Sequence, residues 1–131
     1  MRFGVVAGGE VRWRGAWVGV VDSLSPRLRR LPRAAVCGRE LRVARGPRAR
    51  LLGLARLERG RAGGGLLIPR CSCVHTFGMR FPLDLHFLDA SGAPLLVRRA
   101  VPARRVVLCR GARAVMEIPA AEGGEISPPR P

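Results

Sequence analysis

Cys71 to Asp89 reads CSCVHTFGMRFPLDLHFLD, and the reading of this stretch decides the fold. It holds both histidines, two of the four cysteines and three of the four phenylalanines. Val, Thr and Phe favour the pleat, whereas Gly and Pro interrupt it, so the stretch reads as two short strands joined through Gly78 and Pro82. Successive strand residues face opposite sides. Leu83, Leu85 and Phe87 therefore point one way, and Asp84 and His86 share the other face. The middle pair of strands is expected to bring this carboxylate and both imidazoles together at the rim of a β-layered body.

Working outward, CGRELRVA alternates and reads as a strand from about Val36 to Arg45, stopped by Gly46-Pro47. Pro at a first helical position then starts PRARLLGLARLER, where Leu51, Leu54 and Leu57 make a short apolar stripe suited to one helix ending at Gly60. Leu66 to Ile68 form a strand after a glycine-rich turn. Beyond Asp89, Ser91-Gly92 marks a hairpin, and the runs Ala93 to Arg99, Arg104 to Cys109 and Ala112 to Ile118 are three more strands. One helix followed by about six short strands predicts a mainly β fold, a small sandwich, jelly-roll-like or half-barrel sheet with one short helix. Residues 36–121 are expected to form one β-rich domain, residues 1–35 a poorly ordered basic extension and residues 122–131 a frayed tail.

At 131 residues the chain is sized for one core. It carries 24 basic residues against 9 acidic ones, a net charge of +15. Such a field attracts nucleic acid, another polyanion or an acidic protein. Every basic residue is Arg, and Lys, Asn, Gln and Tyr are absent. A GC-rich genome would produce much of the same bias, because Lys, Asn and Tyr use AT-rich codons. Without Lys there is no Schiff-base chemistry and no Walker-type phosphate lysine. Residues 1–21 carry Arg2, Glu10, Arg12 and Arg14, which fits neither a signal peptide nor a span of roughly 20 apolar residues. A reducing cytoplasm with free thiols is the expected setting.

The run PRCSCVHTFGMRFPLDLHFLDASG, preceded by RARLLGLARL and followed by AVMEIPA, resembles the prokaryotic domain-of-unknown-function family 192 over about Val36 to Ala121. That resemblance implies a small, mainly β domain with a helix packed on it, and it brings no established activity. The family signature falls on Arg50, Gly53, His75, Thr76, Met79, Pro82, Asp84, Asp89, Gly92 and Glu117.

The candidate ligand-binding residues are His75, Thr76, Met79, Asp84, His86 and Arg50. A carboxylate beside an imidazole can orient its tautomer and move protons. Arg50 is expected to reach Asp84 or Glu117 in a partly buried ion pair. Met79, Phe77, Phe81 and Phe87 either line a pocket or fill the core. Cys71, Cys73 and His75 would fall on one face of a strand as weak zinc candidates, although C-x-C is only a partial match to paired-cysteine spacing. No cofactor is expected, with zinc as the alternative. The residues point to a non-catalytic binding module of bacterial type. The competing readings are polyanion binding through the arginine surface and a small metal-dependent or hydrolytic enzyme.

Overall fold

The computed structural model of the chain describes residues 24–121. Among these, eight strands form two sheets, with two short helices and no closed barrel, so the architecture is mainly β as expected. In chain order the elements are α1 (Pro26–Arg29), β1 (Arg33–Val36), β2 (Arg39–Val43), α2 (Pro47–Leu52), a 3-10 turn (Arg59–Arg61), β3 (Leu66–Pro69), β4 (Cys73–His75), β5 (Leu83–Leu88), β6 (Pro94–Val101), β7 (Val106–Leu108) and β8 (Ala114–Pro119). The larger sheet has the order β1-β2-β3-β8-β5-β6, and β4 pairs with β7 in a separate two-stranded ribbon. All pairings are antiparallel except β2 with β3.

Three local readings change. Residues 24–35, expected within a poorly ordered extension, instead build α1 and most of β1. Ser25 accepts the Arg27 N–H at 3.3 Å, Pro26 opens the helix, and Leu28 is buried in the core. The remainder of that expected extension, residues 1–23, and the expected tail, residues 122–131, lie outside the described residues. The strand expected from Val36 to Arg45 is a hairpin: Cys37 and Gly38 both take positive φ, 50° and 76°, so the chain reverses in two residues with Val36 opposite Arg39. The helix expected to run to Gly60 stops at Leu52. Gly53 takes a φ of 53°, and a Cβ there would lie 2.6 Å from Glu117 Oε1, so the chain turns where only glycine fits against the sheet.

The central stretch does not fold back on itself. Thr76 is tied to the loop before β7, while Met79 and Phe81 drop into the core. The chain thus crosses from the ribbon to the large sheet, and β5 pairs with β6 and β8 rather than with β4. Alternation within β5 is as read: Leu83, Leu85 and Phe87 are fully buried, and Asp84 and His86 lie on the opposite face. The main core also holds Leu28, Leu54, Leu66, Val74, Met79, Phe81 and Val115. Each large side chain there contributes about 1.5–3 kcal/mol of burial. On the other face of the sheet, Leu41, Leu88, Met116 and Ile118 form a smaller cluster.

Candidate functional site

The six candidate binding residues separate into distinct environments. Thr76 is fully buried and acts as a clip. Its hydroxyl donates to the Pro102 carbonyl at 2.7 Å and accepts the Arg105 N–H at 2.8 Å, while its own N–H donates to the Arg105 carbonyl. Its one hydroxyl proton is committed within the fold and the side chain has no exposed surface, so a ligand does not reach it. Met79 is core, together with Phe81 and Phe87. The Arg59 guanidinium lies over the Phe81 ring at 5.4 Å, a cation–π contact at the core's edge.

Asp84 works within the sheet. Its Oδ1 accepts the N–H of Ala100 at 2.8 Å, and Oδ2 lies 3.4 Å from Arg99 Nη1. Ala100 has a φ of 48°, and the β5–β6 register shifts between Leu83 and Leu85. The carboxylate thus satisfies an amide that the irregular ladder leaves over. His86 sits on the same face. Burial, then the Arg99 charge, push its imidazole below the ordinary value against the opposing pull of Asp84, and Arg39 adds to the depression. Its neutral form therefore prevails at pH 7.

His75 is in the other sheet and shares no partner with Asp84 or His86 among the described residues. The expected meeting of carboxylate and both imidazoles does not occur, because β4 and β5 are not paired. The Nδ1 of His75 accepts the N–H of Phe77 at 3.1 Å, so the neutral ring carries its proton on Nε2. The Phe77 ring rests against it, with centroids 5.8 Å apart. Within the ribbon Cys73 faces Leu108 and His75 faces Val106, while Val74 and Val107 turn toward the core. The outward surface is unusually apolar: Phe77 is 51% exposed, Val106 63% and Leu108 62%.

Arg50 reaches neither Asp84 nor Glu117. Its guanidinium donates to the carbonyls of Pro69 and Arg70, tying α2 to the end of β3. All four cysteines are free thiols. The Cys71 thiol donates to the Cys73 carbonyl at 3.4 Å, and burial pushes its pKa up. Among the described residues no three His, Cys, Asp or Glu side chains come together as metal ligands, the set Cys71, Cys73 and His75 included.

Glu117 holds the most perturbed carboxyl. It is 3% exposed, on the central strand β8, and accepts the Leu54 N–H at 3.3 Å. Burial raises its pKa from 4.5 to about 7, and the Leu54 N–H only partly opposes this. Glu117 shares a face of β8 with the buried Val115, and Met116 and Ile118 on the other face are buried too, so alternation alone does not mark the carboxyl as an inward group.

Fold and site thus define a small, mainly β domain with a buried carboxyl at its centre and an apolar ribbon at its side. The profile of domain-of-unknown-function family 192, described as uncharacterized ACR, matches residues 33–126, and the chain belongs to that family. The comparison with curated proteins found no match. Among solved structures, the chain is similar to a Sinorhizobium meliloti 1021 protein described as "a putative transcription regulator". The two are 18% identical with a TM-score of 0.51, over 67% of this chain and 78% of that one, a likeness of fold. A Novosphingobium aromaticivorans DSM 12444 protein of unknown function is 16% identical with a TM-score of 0.49, over 67% and 71%. No helix among the described residues is long and apolar enough to cross a membrane.

Proposed function

We propose that the domain is a binding module whose ribbon face, at His75 and Phe77, takes an acidic segment of a partner protein that carries apolar side chains. The exposed row of Phe77, Val106 and Leu108 is the observation that carries this reading. Large apolar side chains grouped on a surface favour a partner that covers them. The class of partner follows from charge. Residues 70–83 and 101–113, which supply both ribbon strands, contain six arginines and no Asp or Glu. Arg104, Arg105 and Arg110 flank β7 and are exposed. An apolar centre with a basic rim matches a segment in which Asp or Glu alternates with Leu or Phe.

The test is anisotropy of a fluorescein-labelled peptide of alternating Glu and Leu, set against a peptide with Lys in place of Glu. The acidic peptide is expected to bind, more weakly as salt rises. The double variant Phe77→Ser, Leu108→Ser, folded by circular dichroism, is expected to lose at least about tenfold in affinity, or about 1.4 kcal/mol. Equal binding of both peptides, or undiminished binding by the variant, overturns the proposal.

A further inference from the structure

The ribbon has a free side as well as an apolar face. Cys109 donates its N–H to the Ser72 carbonyl at 2.9 Å, and Thr76 donates its N–H to the Arg105 carbonyl at 2.8 Å. These two bonds bracket the register of Cys73 with Leu108, Val74 with Val107 and His75 with Val106. In an antiparallel ladder, hydrogen-bonded pairs alternate with pairs whose amides turn away. Val74 and Val107 are therefore the bonded pair, and the N–H and C=O groups of Val106 and Leu108 point away from β4. Among the described residues no strand lies on that side of β7, and nothing bonds to those groups.

The same two residues carry the exposed apolar side chains of the strand, Val106 at 63% and Leu108 at 62%. Among the described residues no other outer strand combines these features. β6 contains Pro94, which has no N–H, two register shifts against β5, and Ala100 at a φ of 48°, all of which blunt a strand's outer side. β1 offers only two alanines and Val36 as apolar groups. On β4 the Cys73 carbonyl already accepts the Cys71 thiol. Outward amides and large exposed apolar side chains thus coincide at β7.

We propose that the partner segment docks on β7 as an added β-strand, extending the ribbon to three strands. This rests on the acidic, apolar segment proposed above and specifies how it is held. Main-chain hydrogen bonds to Val106 and Leu108 fix the segment, and its alternate apolar side chains continue their exposed row. Charge selects the occupant. Arg104, Arg105 and Arg110 flank β7, and residues 101–113 contain no Asp or Glu. A second copy of this chain, adding β7 to β7, would bring these arginines against one another, whereas carboxylates complement them. A helix, whose amides are bonded internally, would leave the Val106 and Leu108 groups to water.

The experiment titrates the full chain, by anisotropy, with the peptide of alternating Glu and Leu and with two backbone N-methylated forms, one methylated at the leucines and one at the glutamates. Each methyl removes a donor and keeps the side chain. In an antiparallel addition the leucines opposite Val106 and Leu108 turn their amides toward β7, and in a parallel addition the glutamates do. One form is therefore expected to lose at least about tenfold in affinity while the other stays within about twofold of the parent. Leu108→Pro removes an outward N–H and leaves the ribbon's own bonds intact, so it is expected to weaken the parent peptide at least about fivefold beyond Leu108→Ala. Should the proline variant fail to fold by circular dichroism, the two methylated peptides decide alone. Equal affinity of the methylated forms, or an equal effect of the two substitutions, overturns strand addition and leaves the binding module in place. Failure of the parent peptide to bind overturns both. A dimer seen in sedimentation that Leu108→Pro dissolves identifies a second copy as the occupant and overturns the proposal as well.

Discussion

Replacing Glu117 by Gln removes a charge from the centre of the sheet while keeping the side chain's size and its acceptor for the Leu54 N–H. In the folded chain this carboxyl has a pKa of about 7 against an ordinary 4.5. Between those values the folded state holds a proton that the unfolded state has released, so stability falls as pH rises through the interval. The loss is complete above pH 7. At about 1.4 kcal/mol per pH unit, it amounts to about 3 kcal/mol. Gln cannot ionise and escapes this loss. Near pH 4.5 Gln resembles the protonated acid, and the two proteins are expected to be similar in stability. At pH 8 the variant is expected to be the more stable by up to about 3 kcal/mol. Urea unfolding at both pH values, with thiols kept reduced, measures it, and an unchanged m-value certifies the comparison. Other titrating groups act on both proteins alike and cancel in the difference. A variant-minus-wild-type difference that does not change with pH would refute the reasoning, and a variant less stable at pH 8 would mean that the carboxylate has a cationic partner.

Gly53→Ala places a methyl 2.6 Å from Glu117 Oε1 at a positive φ, and is expected to cost more than about 1 kcal/mol in the same unfolding assay. Thr76→Val strands the Arg105 N–H and the Pro102 carbonyl and is expected to cost about 1–3 kcal/mol, with Thr76→Ser recovering most of it. By NMR titration His86 is expected to protonate below the ordinary 6.5, and Arg99→Gln to move its midpoint upward. Because its folded pKa is depressed, His86 favours the folded state at neutral pH, and that contribution disappears as acid protonates the ring.

The inward and outward faces of β5 followed from its alternation, because a half-buried strand writes its burial into every second residue. The burial of Glu117 was not legible in this way, because β8 is buried on both faces and a polar residue between Met116 and Ile118 reads as an outward position. What also failed was pairing. Nothing local in CSCVHTFGMRFPLDLHFLD distinguishes a hairpin from a crossover, and the deciding contacts come from Arg56, Pro102 and Arg105, distant in sequence. With the hairpin went the expected meeting of His75, Asp84 and His86. Cys37 in a left-handed turn was hidden because cysteine rarely takes that conformation, so the alternation ran through it unbroken. Arg50 bonding to carbonyls rather than a carboxylate follows from the course of α2, which stops at Gly53, where a Cβ would meet the Glu117 side chain.

Strand β8 lies between β3 and β5, yet it is the last described strand in the chain. During synthesis the strand that joins both halves of the sheet emerges after every strand it must join. Until then β3 and β5 each present an unpaired edge, and the hairpin of β5 with β6 has no link to β1, β2 and β3. The final pairings close long loops, an arrangement that slows folding and prolongs the exposure of open edges. Ribosome-stalled chains that end before Ala114 should therefore remain protease-sensitive however many of the earlier strands have left the exit tunnel.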